Sequence, residues 1–254
     1  MVRTSFRGPA VGERLGRYTI ESGWTDGPLG PTATASPHAT AASAPTPAGT
    51  SAIATPAGGS QAARLHVLRG IRPVVDLAKV GSELAIVRAL GASFASPLAA
   101  WTEDQGLVVA YEDALEPPLT LGPVDPLVAA RIVLGLATSM AEAHRADLVH
   151  GLLCPALVHR VDGDASSARI AGLGLLKLIS TDVVASLAGP ELAPYLAPEI
   201  VRGKKARPQT DVRSLGVIFH ALVHGAPPYS GALADVLASA STDALPPLPA
   251  SLPA

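Results

Sequence analysis

The stretch H-G-L-L-C-P-A-L, residues 150–157, decides how the rest of the chain is interpreted. A long helix is predicted before it, because Asp125 followed by Pro126 combines a capping residue with the proline that suits a first helical position. A β-hairpin is predicted after it, with its turn at residues 161–165. We therefore interpret the stretch as a loop that joins a helix to a hairpin.

The elements predicted outward from this loop indicate an α+β protein. Strands are predicted at residues 17–20, 64–68 and 107–111, and further helices at residues 76–90 and 210–224. The last of these helices is expected to end at Gly225. Because the strands come first and the helices later, a sheet region followed by a helical region is predicted.

Composition and charge exclude several classes of protein. The 254 residues carry a net charge of −2, which gives no reason to expect a nucleic acid or an acidic membrane as partner. A single cysteine excludes an internal disulfide. No apolar run is long enough to span a membrane, and the N-terminus lacks an apolar run of secretory length. We therefore expect a cytoplasmic protein without a membrane span.

A low-complexity block occupies residues 31–62. It has no charged residue and consists almost entirely of Ala, Thr, Pro, Ser and Gly. Such a block buries too little apolar surface to offset the entropy of ordering the chain. We predict a disordered loop inserted between two strands, and a linker between two domains is the alternative.

The order of motifs resembles a bacterial-type Ser/Thr protein kinase domain, roughly from Gly16 to Ser230. The stretch 150–157 keeps the frame of the kinase catalytic loop, H-R-D-L-K-P-x-N, at His150, Leu153 and Pro155. The segment A-P-Y-L-A-P-E, residues 193–199, resembles the A-P-E segment that closes a kinase activation loop. Residues 211–217 resemble the start of the central helix of the large lobe.

This resemblance implies a two-lobed, protein-kinase-like fold. Residues 1–15 would be an N-terminal tail, and residues 16–114 a small β-rich N-lobe carrying the insert 31–62. Residues 115–254 would form a mainly helical C-lobe. The C-lobe is expected to be incomplete and to lack its last helices, because the chain ends at Ala254.

The resemblance also places five substituted residues where a kinase handles charge or metal. They stand at the positions of the phosphate-binding Lys, the loop Arg, the general base and the two metal ligands: His66, Gly151, Leu152, Leu157 and Gly172. A hydrocarbon cannot accept a proton, and neither Leu nor Gly has a side-chain oxygen for Mg²⁺. We therefore predict no metal site, no bound Mg²⁺ and no intact catalytic residue.

Five residues remain weak candidates for a nucleotide cleft: Gly27, Gly30, Glu83, Tyr111 and Glu112. Gly27 and Gly30 keep two glycines of the pattern G-x-G-x-x-G, although a polar turn is the simpler interpretation. Glu83 would be the helix Glu that pairs with the missing Lys, or else a solvated carboxylate. Arg17, Arg64 or Arg69 could replace that Lys, but Arg64 and Arg69 are expected to point to faces other than that of His66 or to leave the strand. Any ATP binding should be weak.

Three residues are expected to keep structural roles, namely His150, Glu199 and Asp211. His150 matches a residue that stacks through a kinase core, together with Leu173 and Val87. Asp211 matches a carboxylate that accepts hydrogen bonds from backbone amides of the catalytic loop. Glu199 is expected to be unpaired, because its usual Arg partner would lie in the missing helices.

These observations predict a degenerate kinase, or pseudokinase, that serves as a signalling or scaffolding module and binds a protein partner. The first alternative is a Ser/Thr kinase that transfers the ATP γ-phosphate with atypical residues. A second alternative uses Cys154 with His150 and His159 as a thiol nucleophile and its bases. A third is a decayed gene product without function.

Overall fold

The structure is a computed structural model that describes residues 8–15, 18–27, 30–37, 63–69, 85–103, 106–112, 118–161, 164–242, 245 and 247. The first half forms an antiparallel sheet of seven strands: β1 Arg14–Leu15, β2 Tyr18–Ile20, β3 Thr25–Gly27, β4 Gly30–Pro37, β5 Ala63–Arg69, β6 Pro97–Glu103 and β7 Gly106–Glu112. Their order across the sheet is β1-β2-β4-β5-β7-β6, and β3 pairs with β4.

Helices dominate the second half. They are α1 at residues 85–89, α2 Pro126–Arg145, α3 Val184–Leu187, α4 Pro198–Val201, α5 Pro208–His224 and α6 Leu233–Ala240. A hairpin of β8 Val158–Val161 and β9 Asp164–Ile170 lies between α2 and α3. The structure is therefore of the α+β class, as the order of predicted elements indicated.

Local signals set the ends of the two long helices. The Asp125 carboxylate accepts a 2.9 Å hydrogen bond from the Leu127 amide, which caps α2. Gly225 follows α5 with φ of +80°, and a Cβ there would lie 2.8 Å from Pro123 Cδ, so the position requires glycine. The two helices are antiparallel neighbours, because Val124 N bonds to Leu222 O at one end and His144 contacts Asp211 at the other.

Helix α2 is, among the described residues, the one helix whose length and composition would also allow it to cross a membrane. In the structure one of its faces is part of the protein interior. That face carries Ala129, Ile132, Leu136, Met140 and Ala143, and it packs toward β9 and α5. Val133 and His144 lie half-buried at the margin of this face.

Two apolar clusters lie on opposite faces of the sheet, because alternate residues of a strand point to opposite sides. The outer cluster includes Tyr18, Leu65, Val67, Trp101 and Val108. The inner cluster is shared with the helices and continues from Leu68, Val109 and Tyr111 to Leu136, Met140 and Leu152. His66 lies between Leu65 and Val67 in sequence and therefore faces the helical side.

Two predicted boundaries need correction. The block 31–62 was expected to be a loop from its first residue, but residues 31–37 belong to β4, which pairs with both β2 and β5. Threonine suits a strand, and alanine fits where strands pack closely. Residues 31–37 are therefore ordered by hydrogen bonding to the neighbouring strands rather than by burial of large apolar side chains. Residues 38–62 lie outside the described residues, as do the insert's other predicted properties.

The predicted tail, residues 1–15, is also partly structured. Gly12 N donates a 2.8 Å hydrogen bond to Ile20 O, and the Trp24 indole donates one of 2.8 Å to Pro9 O. Residues 8–15 are therefore attached to the sheet, and residues 1–7 lie outside the described residues. Of the helix predicted at 76–90, the described part is α1, which is followed by Gly91 with φ of +78°.

Candidate functional site

Asp211 holds the loop at residues 150–157 in place. Its carboxylate is fully buried and accepts hydrogen bonds from His150 N at 3.0 Å and Gly151 N at 2.7 Å. These are the backbone bonds that the resemblance implied for this residue. His144 Nε2 lies 2.8 Å from the same carboxylate and adds a third contact. Both carboxylate oxygens are thus occupied by partners from within the chain.

The hydrogen bonds of His150 define its protonation state. Nε2 lies 2.9 Å from Ala171 O, which can only accept, so Nε2 carries the proton. Nδ1 accepts from Leu152 N at 3.2 Å and therefore has no proton. Burial lowers the pKa of His150, although the nearby Asp211 carboxylate acts in the opposite direction. A neutral imidazole thus connects the loop to the strand end at Ala171.

Hydrocarbon occupies the region where the resemblance places the two metal ligands. A Cβ atom at Gly172 would lie 3.4 Å from Leu157 Cδ1 and 3.7 Å from His150 Cε1. Leu157 is itself only 2% exposed and belongs to the inner apolar cluster. Gly172 has φ of +85°, a conformation that favours glycine over aspartate. Neither residue offers a side-chain oxygen, and the hydrocarbon of Leu157 borders the place that a side chain at residue 172 would enter.

The position of the general base is likewise part of the core. Leu152 is 1% exposed and packs in the inner apolar cluster. The adjacent Gly151 has φ of +71°, and a Cβ there would lie 2.4 Å from Leu176 Cδ2 and 3.3 Å from Ala206 Cβ. An arginine at residue 151 would therefore require both a strained backbone and movement of Leu176.

His66, at the position of the phosphate-binding Lys, is enclosed by protein. It is 4% exposed and meets Tyr111 edge to face, with ring centroids 5.9 Å apart. Its Nε2 is buried and has no hydrogen-bond partner among the residues that the structure describes. Burial, together with the charges of Arg64 and His159, lowers the pKa of His66 from 6.5 to about 4. The ring is therefore neutral at pH 7.

The expectation that Arg64 points away from His66 is wrong. Residues 64 and 66 are two apart in β5 and so share a face of the strand. The influence of the Arg64 charge on His66 agrees with this placement. A cation therefore does lie on the face of the missing Lys, although Arg64 already has an interaction within the protein.

Two polar contacts connect this strand region to the hairpin. The Tyr111 hydroxyl donates a 3.2 Å hydrogen bond to Leu173 O, and burial raises the pKa of Tyr111 above its usual range. The Arg169 guanidinium donates to the Glu112 carboxylate at 2.8 Å, and both side chains are about one-fifth exposed. Tyr111 and Glu112 thus interact with the protein itself on the side where the resemblance places a nucleotide.

The remaining candidates for a nucleotide cleft are Gly27, Gly30 and Glu83. Gly27 and Gly30 pair with each other across the β3–β4 hairpin, which agrees with the interpretation as a turn. Glu83 lies outside the described residues. No group of three or more His, Cys, Asp or Glu side chains in the described part of the chain is arranged to hold a metal ion.

The carboxylate of Glu199 is not unpaired as predicted. It accepts a hydrogen bond from the Thr210 hydroxyl at the start of α5, and the side chain is half-buried. The prediction was wrong because it considered only an arginine from another helix. A hydroxyl eleven residues along the chain supplies the partner instead.

Cys154 does not have the properties of a nucleophile. Its side chain is fully buried, and burial raises the pKa of the thiol to about 12. Since the thiolate is the reactive form, a buried thiol with this pKa is inert near neutral pH. The structure thus argues against the thiol alternative.

Sequence reasoning missed the roles of Arg169 and of the Tyr111 hydroxyl. Both contacts join residues more than fifty positions apart, so no local period or motif could have revealed them. One signal was available, because Arg169 is a charged residue directly before a buried strand end at Ile170. A charge in that position needs a partner, and Glu112 supplies it.

Comparison with known proteins finds bacterial kinases. No protein-family model matches the chain. Serine/threonine-protein kinase PknL of Mycobacterium tuberculosis is 33% identical over 125 residues, which are 48% of this chain and 31% of that protein. PknB of Mycobacterium leprae is 29% identical over 114 residues, 44% of this chain and 18% of that protein.

A third relative gives the same result. Serine/threonine-protein kinase PkaA of Streptomyces coelicolor is 27% identical over 134 residues, 52% of this chain and 25% of that protein. The matches thus span about a third or less of the relatives' own lengths. Over about half of its residues, this chain is similar to bacterial serine/threonine protein kinases, which supports a kinase-like α+β domain.

Proposed function

We propose that the chain is a pseudokinase, a two-lobed kinase-like domain that does not transfer phosphate and acts by binding a protein partner. The observation that carries the proposal is that buried Leu157 borders Gly172, so neither of these two positions offers an oxygen ligand. Phosphoryl transfer depends on metal ions that neutralise the phosphate charge. At both expected metal positions this chain has apolar packing, so the reaction lacks the group that it needs most.

The inner face of the sheet adds independent support. His66 and Tyr111 fill the inner face of β5 and β7 with buried rings. A neutral imidazole offers no charge to the α- and β-phosphates, and it is shorter than a lysine. ATP would gain neither a metal nor a lysine, so any binding should come from the base alone and be weak.

The alternative is an active kinase with atypical residues. The names of the similar bacterial proteins favour it, since each is called a serine/threonine-protein kinase. Arg64 also places a cation on the face of His66. This alternative still needs a base in place of Leu152 and a metal ligand in place of Leu157, and both side chains are buried in the core.

A phosphotransfer assay distinguishes the two functions. Purified protein is incubated with radiolabelled ATP, with Mg²⁺ or Mn²⁺, and with casein as a generic substrate. Because loss of one central group costs about 10²- to 10⁴-fold, we expect no incorporation above a heat-denatured sample.

A matched variant controls for contaminating kinases. Asp211→Ala removes the carboxylate that holds the loop at residues 150–157, so it disables any active site built on that loop. Activity that is equal in the wild type and Asp211→Ala comes from a contaminant. Metal-dependent activity in the wild type that the variant loses would refute the proposal.

A further inference from the structure

The loop that precedes α5 concentrates positive charge on the surface. It reads R-G-K-K-A-R at residues 202–207, and the side chains of Lys204, Lys205 and Arg207 are exposed. The whole chain has only four lysines and a net charge of −2, so this concentration is not a general property of the surface. None of these three side chains forms an ion pair with a described residue.

A fourth cation comes from a distant part of the chain. Leu176 and Ala206 both lie against Gly151, at 2.4 Å and 3.3 Å from the position of its missing Cβ. Lys177 follows Leu176 in the chain, so its backbone lies in the same region as Ala206, and its side chain is half-buried. We call the group of Lys177, Lys204, Lys205 and Arg207 the basic surface. An acidic residue, Asp182, lies next to this loop, since its Cα is 3.0 Å from the position that a Cβ atom at Gly203 would take. The Asp182 carboxylate accepts a hydrogen bond from Ser180 Oγ.

The backbone beneath these side chains is held in place. Lys204 N donates to Glu199 O at 2.7 Å, and Arg207 N donates to the Thr210 hydroxyl at 2.9 Å. Thr181 Oγ1 donates to Gly203 O at 3.0 Å, which attaches the loop to the segment before α3. A surface that is already ordered loses less entropy when it binds a partner.

We propose that the basic surface binds an acidic peptide segment of a protein partner. The inference rests on the proposed binding function and names the chemistry that the partner would need. A nucleic acid is a poorer fit, because the loop has no aromatic side chain on which bases could stack and the chain as a whole is acidic. An attractive surface of this kind guides association and determines partner choice.

Fluorescence anisotropy with a labelled oligoglutamate peptide tests the proposal, and an oligoglutamine peptide of equal length is the neutral probe. We expect the wild type to bind oligoglutamate at least about tenfold more tightly than oligoglutamine at low salt, and to lose that preference as salt screens the charges. The variant Lys204→Gln/Lys205→Gln should weaken binding about tenfold, whereas Lys204→Arg/Lys205→Arg should stay within about twofold.

A second variant controls for net charge. Arg14→Gln/Arg131→Gln removes the same charge from exposed positions on β1 and α2. It should bind like the wild type, and an equal loss in this variant would overturn the proposal. Tighter binding of a DNA duplex or of phosphatidylserine vesicles than of oligoglutamate would also overturn it. The assay contains no nucleotide, so its failure leaves the phosphotransfer result unaffected.

Discussion

The surroundings of Asp211 keep a buried polar side chain, whereas those of Leu157 are apolar. Around Asp211 a buried carboxylate keeps three contacts to the loop and to α2. Around Leu157 the corresponding kinase positions are filled with a leucine and a glycine that border each other. Both regions lie within the same core, so burial alone does not account for the difference.

The difference follows from where the partners of each polar group are. The partners of Asp211 are backbone amides, which exist in every copy of the chain and cost free energy if they are left unpaired. The partners of metal ligands and of a catalytic base arrive only with a substrate. In a domain that binds no such substrate, an oxygen there would be buried without a partner, and apolar packing is more stable.

Removal of the Asp211 carboxylate should have the largest effect. Asp211→Ala leaves two buried amides and His144 without their acceptor, and we expect a loss of about 4 kcal/mol in the free energy of unfolding. Urea denaturation measures it, with the exposed Glu21→Ala as control. Glu83→Ala should change the free energy by no more than about 0.5 kcal/mol. An equal effect at Asp211 and Glu83 would mean that Glu83 keeps a stabilising ion pair, and it would favour the active-kinase alternative.

Restoring a metal ligand at residue 157 should destabilise the protein rather than repair it. Leu157→Asn removes buried hydrocarbon and leaves an amide in apolar surroundings, at a cost of about 3 kcal/mol. Leu157→Met, which keeps the volume, should cost less than about 1.5 kcal/mol. Thermal unfolding with and without Mg²⁺ checks both. A variant Leu157→Asn that is stabilised by Mg²⁺ would mean that a metal site is nearly intact.

The sequence was most informative where local chemistry sets structure. Asp125 with Pro126 and the later Gly225 correctly predicted the ends of the two long helices, because caps act within a few residues. The same reasoning failed for residues 31–37. Their small and β-branched residues order through pairing with β2 and β5, and such long-range pairing leaves little signal in composition.

The candidate site shows the same division. From residue types and the resemblance alone, the sequence predicted that residues 152, 157 and 172 offer neither a proton acceptor nor a metal ligand. The sequence did not reveal that Leu157 borders Gly172, or that Arg169 reaches Glu112, because those contacts depend on the tertiary fold. Arg64 was assigned to the wrong face although the two-residue period of a strand was sufficient to place it beside His66.

The buried His66 should make stability depend on pH. Its folded-state pKa of about 4 lies below the unfolded value near 6.5, so its contribution is complete above pH 6.5 and is lost as the pH falls toward 4. Between pH 7 and pH 5 this amounts to about 2 kcal/mol. Urea denaturation at both pH values measures it.

The variant His66→Leu isolates this histidine from other groups that titrate, including His159, whose charge acts on His66. Between pH 7 and pH 5, this variant should lose about 2 kcal/mol less stability than the wild type, which is the contribution of His66. An equal loss in both proteins would mean that His66 keeps an ordinary pKa and is open to solvent.

The smallest effect is expected from the low-complexity segment. Replacing residues 38–62 with a short Gly-Ser connector should change the melting temperature little, because the entropy of closing a loop grows only logarithmically with its length. Replacing residues 31–62 should unfold the sheet, since it removes β4 from between β2 and β5. Thermal melts of the two variants compare them directly, and equal melting temperatures would contradict the placement of β4.

The central claim is that the chain's own side chains occupy the places of metal and phosphate. Thermal unfolding with saturating ATP and Mg²⁺, with ATP alone and with adenosine tests it most directly, because a ligand that binds only the folded state raises the melting temperature. We predict that the three ligands produce the same small shift. A rise of several degrees in melting temperature that requires both ATP and Mg²⁺ would contradict the claim and favour the alternative of an active kinase.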